Sequence, residues 1–325
     1  MAARSGFSTS YSSLSFISSS LKVIPIRSLM MEKISVYQGL GPCNFFKTPS
    51  ALWNRTFRTV RYFHRVPRHQ GSATSGPPAY RGGSRKGLDL TIGTLNSPDS
   101  SNAQPVPVRG GILLRTLRRV SDSTVISGPS LLVDELLRSS GADEIPELVN
   151  ERWLGDISAF RAPPSAENPD SNPATLFIGV KETTATSTRA PLQIYKSPRI
   201  GLDLSHPSTR LDPSDRRVRY VSKPYRYFIL PHLLTANGRG QTFLGVHDHC
   251  INVLQISKKS LLLGKIFSLT GLRSQTADKY LNTYQEALES GELEQFIGAR
   301  GKGASSSPGT FLQLMGALRQ RELVE

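Results

Sequence analysis

The sequence predicts an α+β protein, and three observations carry that reading. Short apolar runs of strand length recur between residues 88 and 230. From Lys258 onward the apolar spacing becomes helical. Between the strands lie Pro-, Ser- and Asn-rich connectors that cannot join either kind of element. At 325 residues the chain has room for about two domains. Its 38% apolar content, with 27 glycines, fits a globular core and excludes wholesale disorder.

Taken in order, residues 1–31 are Ser-rich and free of acids, a composition that fits a mitochondrial presequence. The Met30–Met31 pair equally fits a true start. Residues 32–75 interleave aromatics with arginine, among them Phe45, Phe46, Trp53, Arg55, Phe57, Arg58, Arg61, Tyr62, Phe63, His64 and Arg65. Such a run either stacks bases between phosphate contacts or forms a helix with a buried aromatic face. Gly71–Pro78 is a connector, so residues 1–78 read as a basic, largely disordered region. The strand-rich unit, residues 79–231, follows. Its strands are expected at Leu88–Gly93, Gly111–Leu117, Leu176–Val180, Arg199–Leu204 and Tyr225–Leu230. A helix is expected at Pro129–Ser139, where Pro129 suits the first turn. Asn96–Pro107 and Arg161–Pro173 read as loops. Residues 232–257 give no clear period. The helical extension, 258–321, comprises Lys258–Leu269, a break at Gly271–Leu272, Ser274–Glu289 and a last short helix.

The net charge of +15 is concentrated at one end. Residues 1–86 hold 13 Lys/Arg against a single acid, Glu32. A basic arm of this kind suits polyanions, because neutralising phosphates releases counterions. It suits a targeting segment equally well. No stretch approaches the roughly 20 apolar residues of a spanning helix, so no membrane partner is expected. Cys43 and Cys250 make no disulfide framework and lack zinc-site spacing. His247-Asp248-His249-Cys250 is read as a loop with unpaired His and Cys, because adjacent ligands on a strand would diverge. Gly82-Gly83 with Lys86 is a Gly-rich turn without phosphate-loop spacing.

Four segments, in order, resemble the methylpurine (alkyladenine, 3-methyladenine) DNA glycosylases. They are Gly110–Leu117 (GGILLRTL), Gly128–Val133 (GPSLLV), Ser197–Leu202 (SPRIGL) and Lys223–Phe228 (KPYRYF). The resemblance covers residues 79–231, under half the chain. It implies a curved antiparallel sheet with flanking helices. It also implies a site that takes a damaged purine flipped from double-stranded DNA, base-excision repair in the nucleus, and hydrolysis without metal or redox cofactor. A mitochondrial location is the alternative if residues 1–31 are a presequence.

By the same resemblance, Arg115 orients the attacking water and Tyr80 stacks the extruded base. Arg81, Arg85 and Lys86 lie close by as nucleic-acid contacts. Asp89 stands where family members carry Asn. The family's Glu-Thr-Glu-Ala-Tyr segment is missing upstream. Three explanations stay open: the scaffold is inactive, Asp89 supplies the carboxylate, or part of the N-terminal half is absent. Separately, Leu269–Leu281 looks like a helix-turn-helix core, with Gln275, Lys279 and Asn282 on the exposed face of its second helix. The alternative is a helical hairpin that merely packs. The leading expectation is therefore a glycosylase-like DNA-binding protein, and the rival is a non-catalytic nucleic-acid-binding module on the same scaffold.

Overall fold

Strand pairing, rather than helix packing, organises the molecule. The computed structural model describes residues 14–18, 30–32, 60–67, 78–95, 107–119, 121–159, 176–180, 192–304 and 307–324. Cys43, the aromatic–arginine run from Phe45 to Arg58 and most of the presequence-like segment lie outside them.

The strands are β1 (Leu14–Ser18), β2 (Met30–Glu32), β3 (Arg61–Phe63), β4 (Leu88–Leu95), β5 (Pro107–Arg118), β6 (Val125–Ser127), β7 (Leu176–Val180), β8 (Tyr195–Ser197) and β9 (Arg226–Phe228). β1 pairs with β7 alone. The others form one antiparallel sheet in the order β3-β4-β5-β2-β9-β8, with β6 on β5. The helices are α1 (Pro129–Ser140), the one-turn α2 (Ile145–Glu147), α3 (Arg216–Val221), α4 (Arg239–Asn252), α5 (Lys259–Thr270), α6 (Ser274–Ser290) and α7 (Pro308–Val324). The protein is thus α+β with an antiparallel sheet, and no described helix is long and apolar enough to cross a membrane.

Two apolar cores form. In the first, Leu88, Leu90, Ile112 and Leu114 of the sheet pack against Leu132, Val133 and Leu137 of α1, with Phe63 and Trp153 beside them. In the second, Tyr195 and Phe228 pack against Phe243 and Val246 of α4, and α5, α6 and α7 close the cluster. The third and fourth glycosylase-like segments therefore share a core with the C-terminal helices.

Register separates the sides of the sheet, since residues directly opposite in a ladder share a side. One row runs Phe63–Leu88–Leu114, passes β2 at Met31, and ends at Tyr227–Lys196. The other runs Tyr62–Asp89–Leu113, passes β2 at Glu32, and ends at Arg226–Ser197. The first core lies on the Leu88 side and the second on the Arg226 side. Neither cluster includes Tyr62, Asp89 and Leu113, or Tyr227 and Lys196.

Several expectations change. Arg199–Leu204 is not a strand: β8 ends at Ser197, Pro198 offers no N–H, and Gly201 turns the chain at φ +81°. Residues 60–65 are extended rather than helical, with Phe63 inward and Tyr62 on the other side. Residues 239–252 form α4, so His247–Cys250 lie on a helix and not in a loop. There His247 stacks on Phe243 at 6.1 Å and meets Tyr284 edge-on at 5.6 Å, and His249 meets Tyr195 edge-on at 5.0 Å. Cys250 is a buried free thiol, raised by burial. α7, with 17 residues, is longer than the short helix expected.

Candidate functional site

The Asp89 side of β3 and β4 gathers most of the titratable chemistry. β4 alternates, so Leu88 and Leu90 enter the core while Asp89 and Thr91 face away from it. Asp89 is nevertheless only 6% exposed. Its Oδ2 lies 3.1 Å from His64 Nε2, and because a carboxylate only accepts, the ring N–H donates. Asp89 Oδ1 is buried, with no hydrogen-bond partner among the described residues. A carboxylate oxygen left this way is costly in a finished core and useful where a substrate or water is to be bound.

The backbone brings His64 to this position. Its N–H donates to Gly87 O at 2.9 Å. A Cβ at Gly87 would sit 2.6 Å from the His64 ring, so only glycine leaves that space. Tyr62 stands directly across from Asp89. Burial raises its phenol; Arg65 lowers it, Asp89 and Tyr80 raise it further, and Arg81 lowers it.

Arg65 bridges the next layer. It donates to Pro78 O at 2.7 Å and to the Tyr80 hydroxyl at 2.9 Å, with its guanidinium 4.2 Å over the Tyr80 ring. Tyr80 also meets Phe63 edge-on at 6.2 Å. The proposed base-stacking tyrosine thus has one ring face covered by an arginine. Arg81 joins the same cluster, donating from its backbone to His64 O and from Nε to Arg65 O.

The remaining residues singled out in the sequence are spread over three places. Arg115, half-buried on β5, falls at the irregularity where the β2–β5 register jumps from Leu114 to Thr116, and its carbonyl accepts from Gly128 N at the start of α1. Arg85 is exposed in the turn before β4, and Lys86 pairs with Asp134 of α1. Gln275 and Lys279 are exposed on α6. Asn282 accepts from Lys259 Nζ at 2.9 Å and donates to Asp278, while Lys259 also pairs with Asp278 at 3.0 Å. The turn between α5 and α6 is made at Gly271, φ +69°, a conformation glycine adopts without strain. Sequence reasoning named Asp89 and Arg115, placed His64 and Arg65 only in the aromatic–arginine run and not beside Asp89, and missed Gly87. The available signal was the alternation Tyr62-Phe63-His64, which reads as a strand once a partner strand is known. Among the described residues no group of three or more His, Cys, Asp or Glu is arranged to hold a metal.

Comparison with known proteins adds one relative. An uncharacterized protein of Acanthamoeba polyphaga mimivirus is 28% identical over 183 residues, which span 56% of this chain and 65% of that protein. The match therefore covers less than two thirds of the viral protein. No family model matches the chain. No solved structure matches it.

Proposed function

We propose that this chain is a DNA N-glycosylase-like protein that takes a flipped alkylated purine at the Asp89 side of the sheet. The observation that carries the reading is the buried Asp89 carboxylate, one oxygen held by His64 and the other without a partner among the described residues. In the reaction, the glycosidic C–N bond breaks as the water oxygen bonds to the sugar carbon and Asp89 Oδ1 takes the water proton. The base leaves with the bonding electron pair, neutral if it was a cationic alkylpurine and otherwise taking up the proton that Asp89 then releases. Arg115, two residues beyond the Leu113 that faces Asp89 in register, is assigned the role of orienting the water. His64 fixes the carboxylate. Arg81 and Arg85 are assigned to phosphate contact, with Gln275 and Lys279 as a second contact on α6. The glycosylase-like fold and a nuclear location belong to the same proposal.

The test is excision on duplex DNA containing hypoxanthine or ethenoadenine, read as strand breaks after alkali. The parent should cut, and Asp89→Asn should lose about 10²-fold or more, the usual scale for a general base. A second reading, a non-catalytic nucleic-acid-binding module, is favoured by one observation: Arg65 lies over the Tyr80 ring that a flipped base would use. Equal silence from parent and Asp89→Asn, with duplex binding retained by both, selects that module.

A further inference from the structure

The Tyr227 side of β8 and β9 carries chemistry that the Asp89 site does not use. Tyr227 lies in register with Lys196, and the Lys196 ammonium sits 5.5 Å from the Tyr227 ring. Two residues upstream, roughly 7 Å along an extended chain, Tyr225 meets Tyr220 with ring centroids 6.3 Å apart. The Arg219 guanidinium lies 5.5 Å over Tyr220. Lys223 is exposed on the link between the two tyrosines. The result is a row of three tyrosines flanked by cations at both ends.

The row is open. Lys196, Arg219, Tyr220 and Lys223 are exposed, and neither apolar core includes Tyr225 or Tyr227. Among the described residues, Lys196, Arg219 and Lys223 have no ion-pair partner. The helix before it keeps its acid occupied: Asp215 accepts from the Arg217 and Arg210 backbone N–H groups. What remains is a positively charged surface around exposed Tyr220 and half-buried Tyr225 and Tyr227, with Arg219 and Lys196 beside the Tyr220 and Tyr227 rings.

We infer that this row binds single-stranded nucleic acid, with bases stacking on Tyr220 and Tyr225 and phosphates meeting Lys196, Arg219 and Lys223. Charge complementarity selects a polyanion. The rings select a single strand, because a duplex buries its base faces in its own stack and offers side chains only edges and backbone. Base–aromatic stacking is tolerant of sequence, so a preference for particular bases is not expected. The inference stands apart from the Asp89 reading and needs no catalysis.

The experiment measures fluorescence anisotropy of a labelled oligothymidylate with the full chain at fixed salt, beside a duplex of equal length. Tyr220→Ala/Tyr225→Ala should weaken oligothymidylate binding by about tenfold or more, from stacking energies of roughly 1–3 kcal/mol per base. Duplex binding should change less than twofold. Tyr220→Phe/Tyr225→Phe keeps the rings and should bind as the parent does. The basic N-terminal arm also attracts polyanions, so photocrosslinks from a thiothymidine-containing oligomer are mapped as well. They should include the peptide carrying Tyr220 and Tyr225. Unchanged melting temperature in both variants excludes misfolding as the cause. Three results overturn the inference: parental affinity in the Ala variant, an equal loss in the Phe variant, or crosslinks confined to the arm.

Discussion

Among the described residues two arginines are buried, one beside each core, and they are treated differently. Arg61 of β3 is 2% exposed, with its guanidinium 3.8 Å over Trp153. It donates to Asp156 O, but its Nε and Nη1 have no hydrogen-bond partner. Burial lowers it to about 10, against a smaller upward pull from Asp156. Arg226 of β9 is fully buried, 4.3 Å over Phe228. It donates to Ser197 at 3.1 Å and Thr242 at 3.0 Å, so it ties β8 and α4 to β9. The same residue type over the same kind of ring is a cross-link in one core and a poorly satisfied cation in the other. Burial of charge is therefore not in itself evidence of stabilisation; the count of partners decides.

The largest effects test whether the two cores are one unit. Trp153→Ala removes a ring stacked on Phe63 at 5.7 Å, and Phe243→Ala removes the centre of the second core. Each should cost about 3–5 kcal/mol. Because one sheet crosses both cores, each variant should shift a single cooperative transition in denaturant. Two separate transitions would divide the molecule into independent halves.

The arginines themselves come next. Arg226→Met takes the arginine donor from the Thr242 hydroxyl, while Ser197 keeps its bond to Pro198 O, and should cost about 1–3 kcal/mol. Arg61→Met keeps the volume over Trp153 and removes a badly paired charge, so it should be neutral or stabilising. Equal losses in thermal melts of the two would erase the contrast drawn above.

Gly87→Ala is expected to lower stability by under about 1 kcal/mol, since the clash falls on a movable ring. It should push His64 away from Asp89, and the NMR signals of the His64 ring should shift far more than the melting temperature does. An unmoved ring would show that Gly87 does not set the pair.

The smallest effect concerns pH. Burial, with a smaller push from Lys265, holds His249 below its ordinary 6.5. Its folded value is below its unfolded one, so the unfolded chain takes up the proton first. The associated stability is full above about pH 6.5 and is lost as pH falls through the folded value. His249→Phe, which keeps a ring against Tyr195, should flatten the decline of melting temperature below that pH.

Much of the fold was legible because burial on one side leaves a period. β4 alternates apolar and polar side chains, α1, α5 and α6 repeat with one buried face, and these positions and that of β5 follow from the sequence within a few residues. α4 was not legible, because Gly240 to Val246 are buried without a break and the helical period vanishes. Gly245 contributes no side chain at all; a Cβ there would lie 2.5 Å from Lys196 O. β8 and β9 are three residues each, too short to show alternation.

For the candidate site, the sequence determined the ingredients: a strand with an acid between two leucines, an Arg two positions beyond its register partner, and a strongly basic first quarter. Tertiary structure alone decided the partners. His64 and Asp89 are 25 residues apart and meet because β3 and β4 pair at Tyr62 and Asp89. Tyr80 and Arg65 meet across a single bridge, and Lys196 reaches Tyr227 only through the β8–β9 ladder. Periodicity records which side of an element avoids water, whereas a pair of charges or rings is fixed by strand register, which no single segment carries.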